Sequence, residues 1–215
     1  MMPLKLSPKS GSLSVLCLGA HSDDIEIGCG GTVLRLAEEH PGCKFHWVVF
    51  SASGVRGAEA TRAAELFAGS RLETLLLKDF RDGYMPWTGT DVKDVFETEI
   101  KKLSPDIVFT HNGNDAHQDH RLLSQLTWNT FRDHFILEYE IPKYDGDMGR
   151  PSFFVPLAAK HSQSKVQHLM DAFGSQRSKH WFEPETFTSL MRLRGMECAS
   201  PSGYAEAFYC RKAVL

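Results

Sequence analysis

The sequence predicts an α/β fold built on a Rossmann-like, mostly parallel sheet with helices on both faces. Apolar runs with the length of buried strands recur along the first half of the chain, at residues 14–20, 45–51, 72–77 and 107–110. Between them lie segments with helical apolar spacing, at residues 32–39, 58–68 and 91–103. Strands that alternate with helices of this length are typical of βαβ units, whose strands are parallel.

The second half of the chain continues this pattern less regularly. Helical spacing is predicted at residues 120–134, 161–173 and 184–194, and strands at residues 135–141, 153–157 and 204–214. Residues 1–13 are predicted to form an irregular leader. Because no internal repeat, low-complexity tract or composition shift marks a linker, we expect one domain over residues 1–215.

The composition argues against several classes of function. The chain has 215 residues, 42% hydrophobic and 24% charged, with a formal net charge of −3, which is ordinary for a globular protein. The lack of a basic block argues against nucleic-acid binding as a main role. No apolar run reaches the length of a membrane span or a secretory signal, so a cytoplasmic protein is expected. Five cysteines form no C-x-x-C pair, which favours reduced thiols over disulfides or a thiolate zinc site.

Two clusters of histidine and aspartate follow predicted strands. His21, Asp23 and Asp24 come directly after the first apolar run, whereas His117 and His120 come after the fourth. Since open α/β sheets bind ligands at the carboxyl ends of their strands, we expect the two clusters to lie close together. Two imidazoles and one carboxylate are typical of a divalent-metal site with open coordination positions, as in catalytic zinc centres.

A simpler interpretation of the first cluster is helix capping. Ser22, Asp23 or Asp24 could cap the helix that follows, as such residues often do. Capping needs only one of these three residues, and it explains neither His21 nor the second cluster. Neither cluster matches a thiolate or His-Glu-x-x-His pattern. Residue types and spacing alone therefore leave a metal site and a helix cap as alternatives.

Both clusters resemble the signature motifs of a known family. Residues 20–24, Ala-His-Ser-Asp-Asp, with Glu26 close behind, resemble the Ala-His-Pro-Asp-Asp signature of the LmbE-like N-acetylglucosaminyl-deacetylase family, the PIG-L group. Residues 117–120, His-Gln-Asp-His, resemble its second motif, His-x-Asp-His. Ser22 stands where proline is usual, and Glu26 stands one place later than the glutamate of many members. The resemblance implies an LmbE-like deacetylase fold.

The resemblance also implies a role for each motif residue. The metal ligands that it implies are His21, Asp24 and His120. The metal would be zinc, with Fe²⁺ or another divalent ion as alternatives. Asp23 would be the general base that activates a metal-bound water, and His117 would stabilise the tetrahedral oxyanion or protonate the leaving amine. Asp119 would orient a neighbouring histidine.

Four further residues are predicted to bind substrate because they follow strands at the same edge of the sheet. They are Arg56, Asp82, Asn112 and Asp115. The alternative for Arg56 is a solvated loop arginine, and the alternative for Asp82 is an Asp-Gly turn. The stretch at residues 84–87, Tyr-Met-Pro-Trp, suits a sugar-stacking rim and a packed loop equally well.

The leading hypothesis is a metal-dependent hydrolase that releases acetate from an N-acetylated amino sugar, which would be a GlcNAc-like sugar, a nucleotide sugar or a glycoside. An amidase acting on a related sugar conjugate is one alternative. A non-catalytic nucleotide- or sugar-binding module is another, but Gly28, Gly30 and Gly31 follow the acidic turn and do not form Gly-x-Gly-x-x-Gly. The expected partner is a small molecule, without nucleic acid or membrane, and the sequence leaves homo-oligomerisation open.

Overall fold

The fold is built on a seven-stranded sheet, seen in a computed structural model that describes residues 5–6 and 11–214. The strands are β1 (Ser14–His21), β2 (Lys44–Ser51), β3 (Leu72–Leu77), β4 (Ile107–His111), β5 (Phe135–Tyr139), β6 (Phe153–Leu157) and β7 (Tyr204–Tyr209). Their order in the sheet is β3-β2-β1-β4-β5-β7-β6. Strands β1 to β5 are parallel, and β7 is antiparallel to both β5 and β6. The predicted Rossmann-like, mostly parallel sheet is confirmed.

Helices cover both faces of the sheet. They are α1 (Asp24–Glu39), α2 (Gly54–Ala68), α3 (Gly89–Val95), α4 (Gln118–Thr130), α5 (Ala159–Ala172) and α6 (Pro184–Glu197). Side chains of β1 alternate between two cores because successive residues of a strand point to opposite faces. Val15 and Cys17 belong to the core shared with α1, α2, α5 and α6. Leu16 and Leu18 belong to the core shared with α3 and α4.

The strand order reverses next to β1. The chain runs from β1 outward through β2 to β3 and then returns to place β4 on the other side of β1. Open α/β sheets have their ligand crevice at such a reversal, outside the carboxyl ends of the strands. His21 is the last residue of β1 and His111 the last residue of β4, so both lie at this crevice.

Helix α1 differs most from the sequence prediction. It begins at Asp24 and not at residue 32, and it runs through three glycines that normally weaken a helix. Close packing accounts for them: a Cβ atom on Gly28 would lie 2.2 Å from the Tyr139 ring, and one on Gly31 would lie 2.5 Å from Leu157. Periodicity missed about two turns at the start of this helix, because glycine contributes no side chain to an apolar pattern.

A buried ion pair between α5 and β7 is hydrogen-bonded to the backbone of α1. Glu206 of β7 accepts hydrogen bonds from the backbone N–H groups of Gly31 and Thr32, at 2.8 and 2.6 Å. Lys165 of α5 lies 2.6 Å from Glu206 and also donates to the Ile27 carbonyl. Both side chains are buried, so each charge is compensated within the protein.

We expect Gly28→Ala to destabilise the protein. The new methyl group would overlap the Tyr139 ring, and overpacking of this kind typically lowers the free energy of unfolding by about 1–3 kcal/mol. Gly89→Ala is the matched control because a Cβ atom there meets no atom within 4 Å. Chemical denaturation of both variants provides the measurement. Equal stability of Gly28→Ala and wild type would contradict the packing described for α1.

Smaller differences concern the ends of other elements. Helix α2 begins at Gly54, so Arg56 lies in its first turn and not in a loop. Helix α4 ends at Thr130 and β7 ends at Tyr209, both earlier than predicted. The predicted leader at residues 1–13 lies largely outside the described residues. All five cysteines are free thiols. Across residues 5–6 and 11–214, no helix combines the length and apolarity that crossing a membrane requires.

Candidate metal and catalytic site

The two predicted clusters meet at the carboxyl ends of β1 and β4. Asp23 is the N-cap residue of α1 and Asp24 its first residue. His117 is the N-cap residue of α4, and His120 lies in the first turn of that helix. The Asp23 side chain makes no capping hydrogen bond, so capping by Asp23 does not explain the first cluster.

Three side-chain atoms of these clusters have the spacing of metal ligands. His21 Nδ1 lies 3.2 Å from His120 Nε2 and 3.3 Å from Asp24 Oδ2. The distance between His120 Nε2 and Asp24 Oδ2 is 3.5 Å. Zinc–ligand bonds of about 2.0–2.1 Å at tetrahedral angles separate neighbouring ligand atoms by roughly 3.3 Å. The three side chains therefore fit a single divalent ion.

Electrostatics at this triad favour a positive charge. Burial lowers the pKa of His21, but Asp24, together with hydrogen bonds to Asp119 and Asp82, raises it well above its ordinary value. Burial raises the pKa of Asp24, but His120, His111 and His21 bring it well below its ordinary value. Without a metal, His21 therefore carries a proton next to the ionised Asp24 carboxylate. A histidine must be neutral to bind a metal, so a divalent ion at this triad would replace that proton and take over its positive charge.

Asp115 lies behind His120. Its Oδ2 atom lies 3.0 Å from His120 Nδ1 and 3.0 Å from Lys143 Nζ, and its Oδ1 atom accepts from the His117 backbone N–H. Only 3% of Asp115 is exposed. A carboxylate on the far nitrogen of a ligand histidine typically fixes the orientation of its ring. This position fits support of His120 better than the predicted contact with substrate.

His111 is a member of the site to which the sequence assigned no role. It is fully buried, and its Nε2 atom lies 3.2 Å from Asp24 Oδ2 and 3.0 Å from the Ala20 backbone nitrogen. Its ring stacks on His120 at a centroid distance of 3.8 Å. With Asp24 and His120 it forms another group of side chains that could hold a metal ion. The sequence signal that could have identified His111 is its position as the last residue of β4, the strand next to β1.

The second nitrogen of His21 faces two carboxylates. His21 Nε2 lies 3.0 Å from Asp82 Oδ1 and 3.3 Å from Asp119 Oδ2. Asp119 is buried and also accepts from the backbone N–H groups of Gly83 and Met85, at 2.7 and 3.1 Å. Asp119 is thus in contact with a neighbouring histidine, as the resemblance implied, and that histidine is His21. Asp82 is largely exposed and lies at the open side of the site.

A chain of hydrogen bonds supports Asp23. Arg56 donates to Asp23 Oδ1 at 2.8 Å and to Glu59 Oε2 at 3.0 Å. Glu59 in turn accepts from the backbone N–H and the hydroxyl of Ser175, both at 2.7 Å. Burial raises the pKa of the Asp23 carboxyl, and Arg56 opposes this rise. Arg56, predicted to bind substrate, here contacts Asp23, while Glu59 was missed although it lies one turn after Arg56.

His117 is both a helix cap and a member of the site. Its Nδ1 atom accepts from the Asp119 backbone N–H at 3.3 Å, so the ring caps the first turn of α4. Burial lowers the pKa of His117, and so do His120 and His21, which favours the neutral ring. A neutral ring that accepts at Nδ1 carries its hydrogen on Nε2, so a donor remains available.

Asn112 and Glu26 complete the sequence-predicted set. Asn112 is buried, and its Oδ1 atom accepts from the Asn114 backbone N–H at 3.1 Å, within the turn that follows β4. Glu26 is fully buried, and neither of its carboxylate oxygens has a hydrogen-bond partner among the described residues. Burial raises the pKa of Glu26 well above its ordinary value. Among the described residues, no hydrogen bond joins the Asn112 or the Glu26 side chain to the triad.

Comparison with protein families decides the assignment of this chain. The family model described as PIG-L, GlcNAc-PI de-N-acetylase, matches residues 16–131 of the 215 residues. The chain belongs to the PIG-L family. The matched segment contains residues 16–21 of β1 and all of β4 and α4, so it contains both motifs and every residue of the triad. The sequence-based resemblance to this family is confirmed.

Two relatives of this chain are named as deacetylases. The Escherichia coli K12 protein called uncharacterized deacetylase YaiS is 34% identical over 149 residues, which cover 64% of this chain and 78% of that protein. Diacetylchitobiose deacetylase of Thermococcus kodakarensis is 28% identical over 123 residues, which cover 50% of this chain. That second match spans 45% of the Thermococcus protein, less than half of its length.

Solved structures share the PIG-L fold of this chain. N,N'-diacetylchitobiose deacetylase of Pyrococcus horikoshii matches with a TM-score of 0.70 and 18% identity, over 92% of this chain and 83% of that chain. GalB, the 4-carboxy-2-hydroxymuconate hydratase of Pseudomonas putida KT2440, matches with a TM-score of 0.68 and 20% identity, over 94% and 98%. These likenesses confirm the predicted fold. The hydratase also means that the fold by itself does not fix the reaction.

Proposed function

We propose that this protein is a metal-dependent N-deacetylase that hydrolyses the acetamide of an N-acetylated amino sugar to the free amine and acetate. The observation that carries the proposal is the triad of His21, Asp24 and His120, whose donor atoms lie 3.2–3.5 Å apart next to the buried carboxylate of Asp23. Membership of the PIG-L family and relatives named as deacetylases support the same reaction.

His21, Asp24 and His120 would hold the metal ion, which we propose to be zinc, with Fe²⁺ as the alternative. Two imidazoles and one carboxylate suit either ion. When bound, such an ion polarises a carbonyl oxygen and lowers the pKa of a coordinated water. Asp115, which is paired with Lys143, lies 3.0 Å from the far nitrogen of His120 and would fix the orientation of this ring.

Asp23 would take the proton from the attacking water. Its burial raises the pKa of the carboxyl, and a base with a pKa closer to the working pH transfers protons more effectively. Arg56 holds one carboxylate oxygen in place at 2.8 Å. The second oxygen then remains for the water, and the link from Arg56 through Glu59 to Ser175 limits movement of the base.

His117 would donate a hydrogen bond from Nε2 to the oxygen on which negative charge develops, or pass a proton to the leaving amine. Its Nδ1 atom is engaged with the Asp119 backbone N–H, which fixes the tautomer that leaves Nε2 as the donor. The His117 ring centroid lies 4.8 Å from that of His21 and 4.6 Å from that of His120, so the donor is next to the triad.

The rival functions explain fewer of these contacts. A non-catalytic sugar-binding module has no need for a buried carboxylate held by Arg56 and Glu59 beside a metal triad. An amidase acting on another sugar conjugate would use the same groups, so substrate trials must separate it from a deacetylase. We further propose a single domain that acts on small molecules in the cytoplasm, supported by the one sheet that joins both halves and by five free thiols.

Metal removal and acetate release test the proposal together. We expect protein dialysed against a chelator to lose acetate release from a panel of N-acetyl sugars, glycosides and nucleotide sugars, and to regain it with one equivalent of Zn²⁺ or Fe²⁺. Bound metal is measured by elemental analysis and acetate by an enzyme-coupled assay. Undiminished acetate release from metal-free protein would refute metal dependence. A metal-loaded protein that releases acetate from none of these compounds would refute the deacetylase.

A further inference from the structure

Asp115, which faces the ligand histidine His120, has a lysine as its counter-ion. Lys143 Nζ lies 3.0 Å from Asp115 Oδ2, the same oxygen that lies 3.0 Å from His120 Nδ1. The other oxygen, Oδ1, accepts a hydrogen bond from the backbone N–H of His117 at 2.8 Å. Only 13% of the Lys143 side chain and 3% of the Asp115 side chain are exposed. The carboxylate next to the His120 ring is therefore held at both of its oxygens inside the protein.

Lys143 comes from a part of the chain that contains neither motif. It follows β5, whereas the family match ends at residue 131. Its ammonium has two further acceptors, the Asp147 carboxylate at 2.6 Å and the Ile141 carbonyl at 3.4 Å. An ammonium has three hydrogens, so these two acceptors and Asp115 can engage all of them. The position of the ammonium is thus defined by three contacts, one of which leads to the site.

The Asp147 carboxylate contacts the same turn by a second route. Its Oδ2 atom accepts from the Ala116 backbone N–H at 2.7 Å. Lys143 is therefore connected twice to the turn that leads into α4, at a side chain through Asp115 and at the backbone through Asp147. Only the route through Asp115 leads to the ring of His120. The two routes can be separated by substitution.

We propose that Lys143 is a positioning residue of the metal site and that it acts on His120 through Asp115. This inference rests on the metal triad of the proposed function. Removing the ammonium leaves a buried carboxylate without its counter-ion, which is unfavourable. Asp115 then loses the contact that fixes Oδ2 beside His120 Nδ1. A ligand histidine whose carboxylate partner is disturbed typically loses about 10–100-fold in metal affinity or activity.

The Zn²⁺ affinity of the full chain tests this role. Dissociation constants are measured by competition with a chelator for wild type, Lys143→Met and Lys143→Arg. Methionine is unbranched and carries no charge, and we expect it to weaken Zn²⁺ binding about 10–100-fold. Arginine keeps the charge and should retain most of the affinity. Lys160→Met is the matched control, because Lys160 is an exposed lysine paired with Glu38, and it should bind Zn²⁺ as wild type does.

Two further variants identify the route. Asp147→Asn removes the second ion pair but keeps an oxygen for the Ala116 N–H, so we expect wild-type affinity. Lys143→Met combined with Asp115→Asn should bind Zn²⁺ no more weakly than Asp115→Asn alone, because the lysine acts through that carboxylate. The double variant removes both charges of the buried pair, so this comparison remains available if Lys143→Met alone does not fold.

The outcomes separate this inference from the function on which it rests. A wild-type protein that binds no Zn²⁺ would overturn the metal triad and the role of Lys143 with it. Equal Zn²⁺ affinity of Lys143→Met and wild type, with at most a lower melting temperature, would overturn the role of Lys143 alone. Equal losses in Asp147→Asn and Lys143→Met would also overturn it, because the lysine would then act on the backbone of the turn. A further loss in the double variant would exclude Asp115 as the link.

Discussion

Asp23→Asn is expected to lower kcat by about two to four orders of magnitude while the fold and the bound metal are retained. The amide has nearly the same shape as the carboxylate and still accepts a hydrogen bond from Arg56, which lies 2.8 Å from Oδ1 in the wild type. It has no basic oxygen that can take a proton from water. Steady-state acetate release, elemental analysis and thermal denaturation of the same preparation provide the measurements.

Asp24→Asn is the comparison variant, because it separates loss of the metal from loss of the general base. The two aspartates are adjacent, yet only Asp24 lies within 3.5 Å of both His21 Nδ1 and His120 Nε2. We expect the Asp24 variant to lose metal together with activity, whereas the Asp23 variant loses activity alone. Asp79→Asn, an exposed carboxylate that follows β3, should have wild-type activity. An Asp23→Asn enzyme that releases acetate at nearly the wild-type rate would show that Asp23 is not the general base.

His120→Ala is expected to lose both the metal and all measurable turnover. Its Nε2 atom is one of three closely spaced donors, and the remaining two cannot form the three-ligand set that catalytic zinc sites use. Metal content after dialysis against a trace-metal buffer is the primary measurement, and acetate release is the second. A His120→Ala protein that retains one metal ion per chain would exclude this histidine from the ligand set.

His117→Ala is the matched variant for the His120→Ala experiment, because it removes a neighbouring histidine that is not a predicted ligand. We expect this variant to retain the metal and to lose roughly two to three orders of magnitude in turnover, as expected when one oxyanion donor is removed. Loss of the Nδ1 cap on α4 costs about 1 kcal/mol and should shift the melting temperature slightly. Loss of metal from His117→Ala would identify it as a ligand, and full activity of the folded fraction would leave it only the capping role.

Much of the fold could be predicted because its parallel strands are continuous apolar runs. Five of them, β1 to β5, were predicted close to their observed bounds, and their alternation with helices gave the parallel arrangement. The start of α1 could not be predicted from periodicity. Gly28 and Gly31 are in the helix because Tyr139 and Leu157 lie against it. These contacts come from strands more than a hundred residues away in sequence.

The candidate site was predictable to the extent that local motifs encode it. His21, Asp24 and His120 stand in two short motifs after strands, and the strand order brings them together. The supporting contacts were not predictable, since they depend on tertiary neighbours. Arg56 was assigned to substrate because a loop was predicted where α2 begins. Asp115 was assigned to substrate because it lies between β4 and His117. Its burial behind His120 could not be predicted, since it depends on Lys143, which follows β5.

The ion pair between Lys165 and Glu206 has a consequence for how the first motif is held. The matched segment at residues 16–131 contains both motifs, but Glu206, which accepts from the backbone of Gly31 and Thr32, lies on β7, outside that segment. Lys165, on α5, donates to the Ile27 carbonyl of the same helix. The helix that begins directly after the first motif is therefore anchored by two charged side chains that the family match does not include. Removing either charge would leave the other buried without its partner, against the helix that carries Asp24.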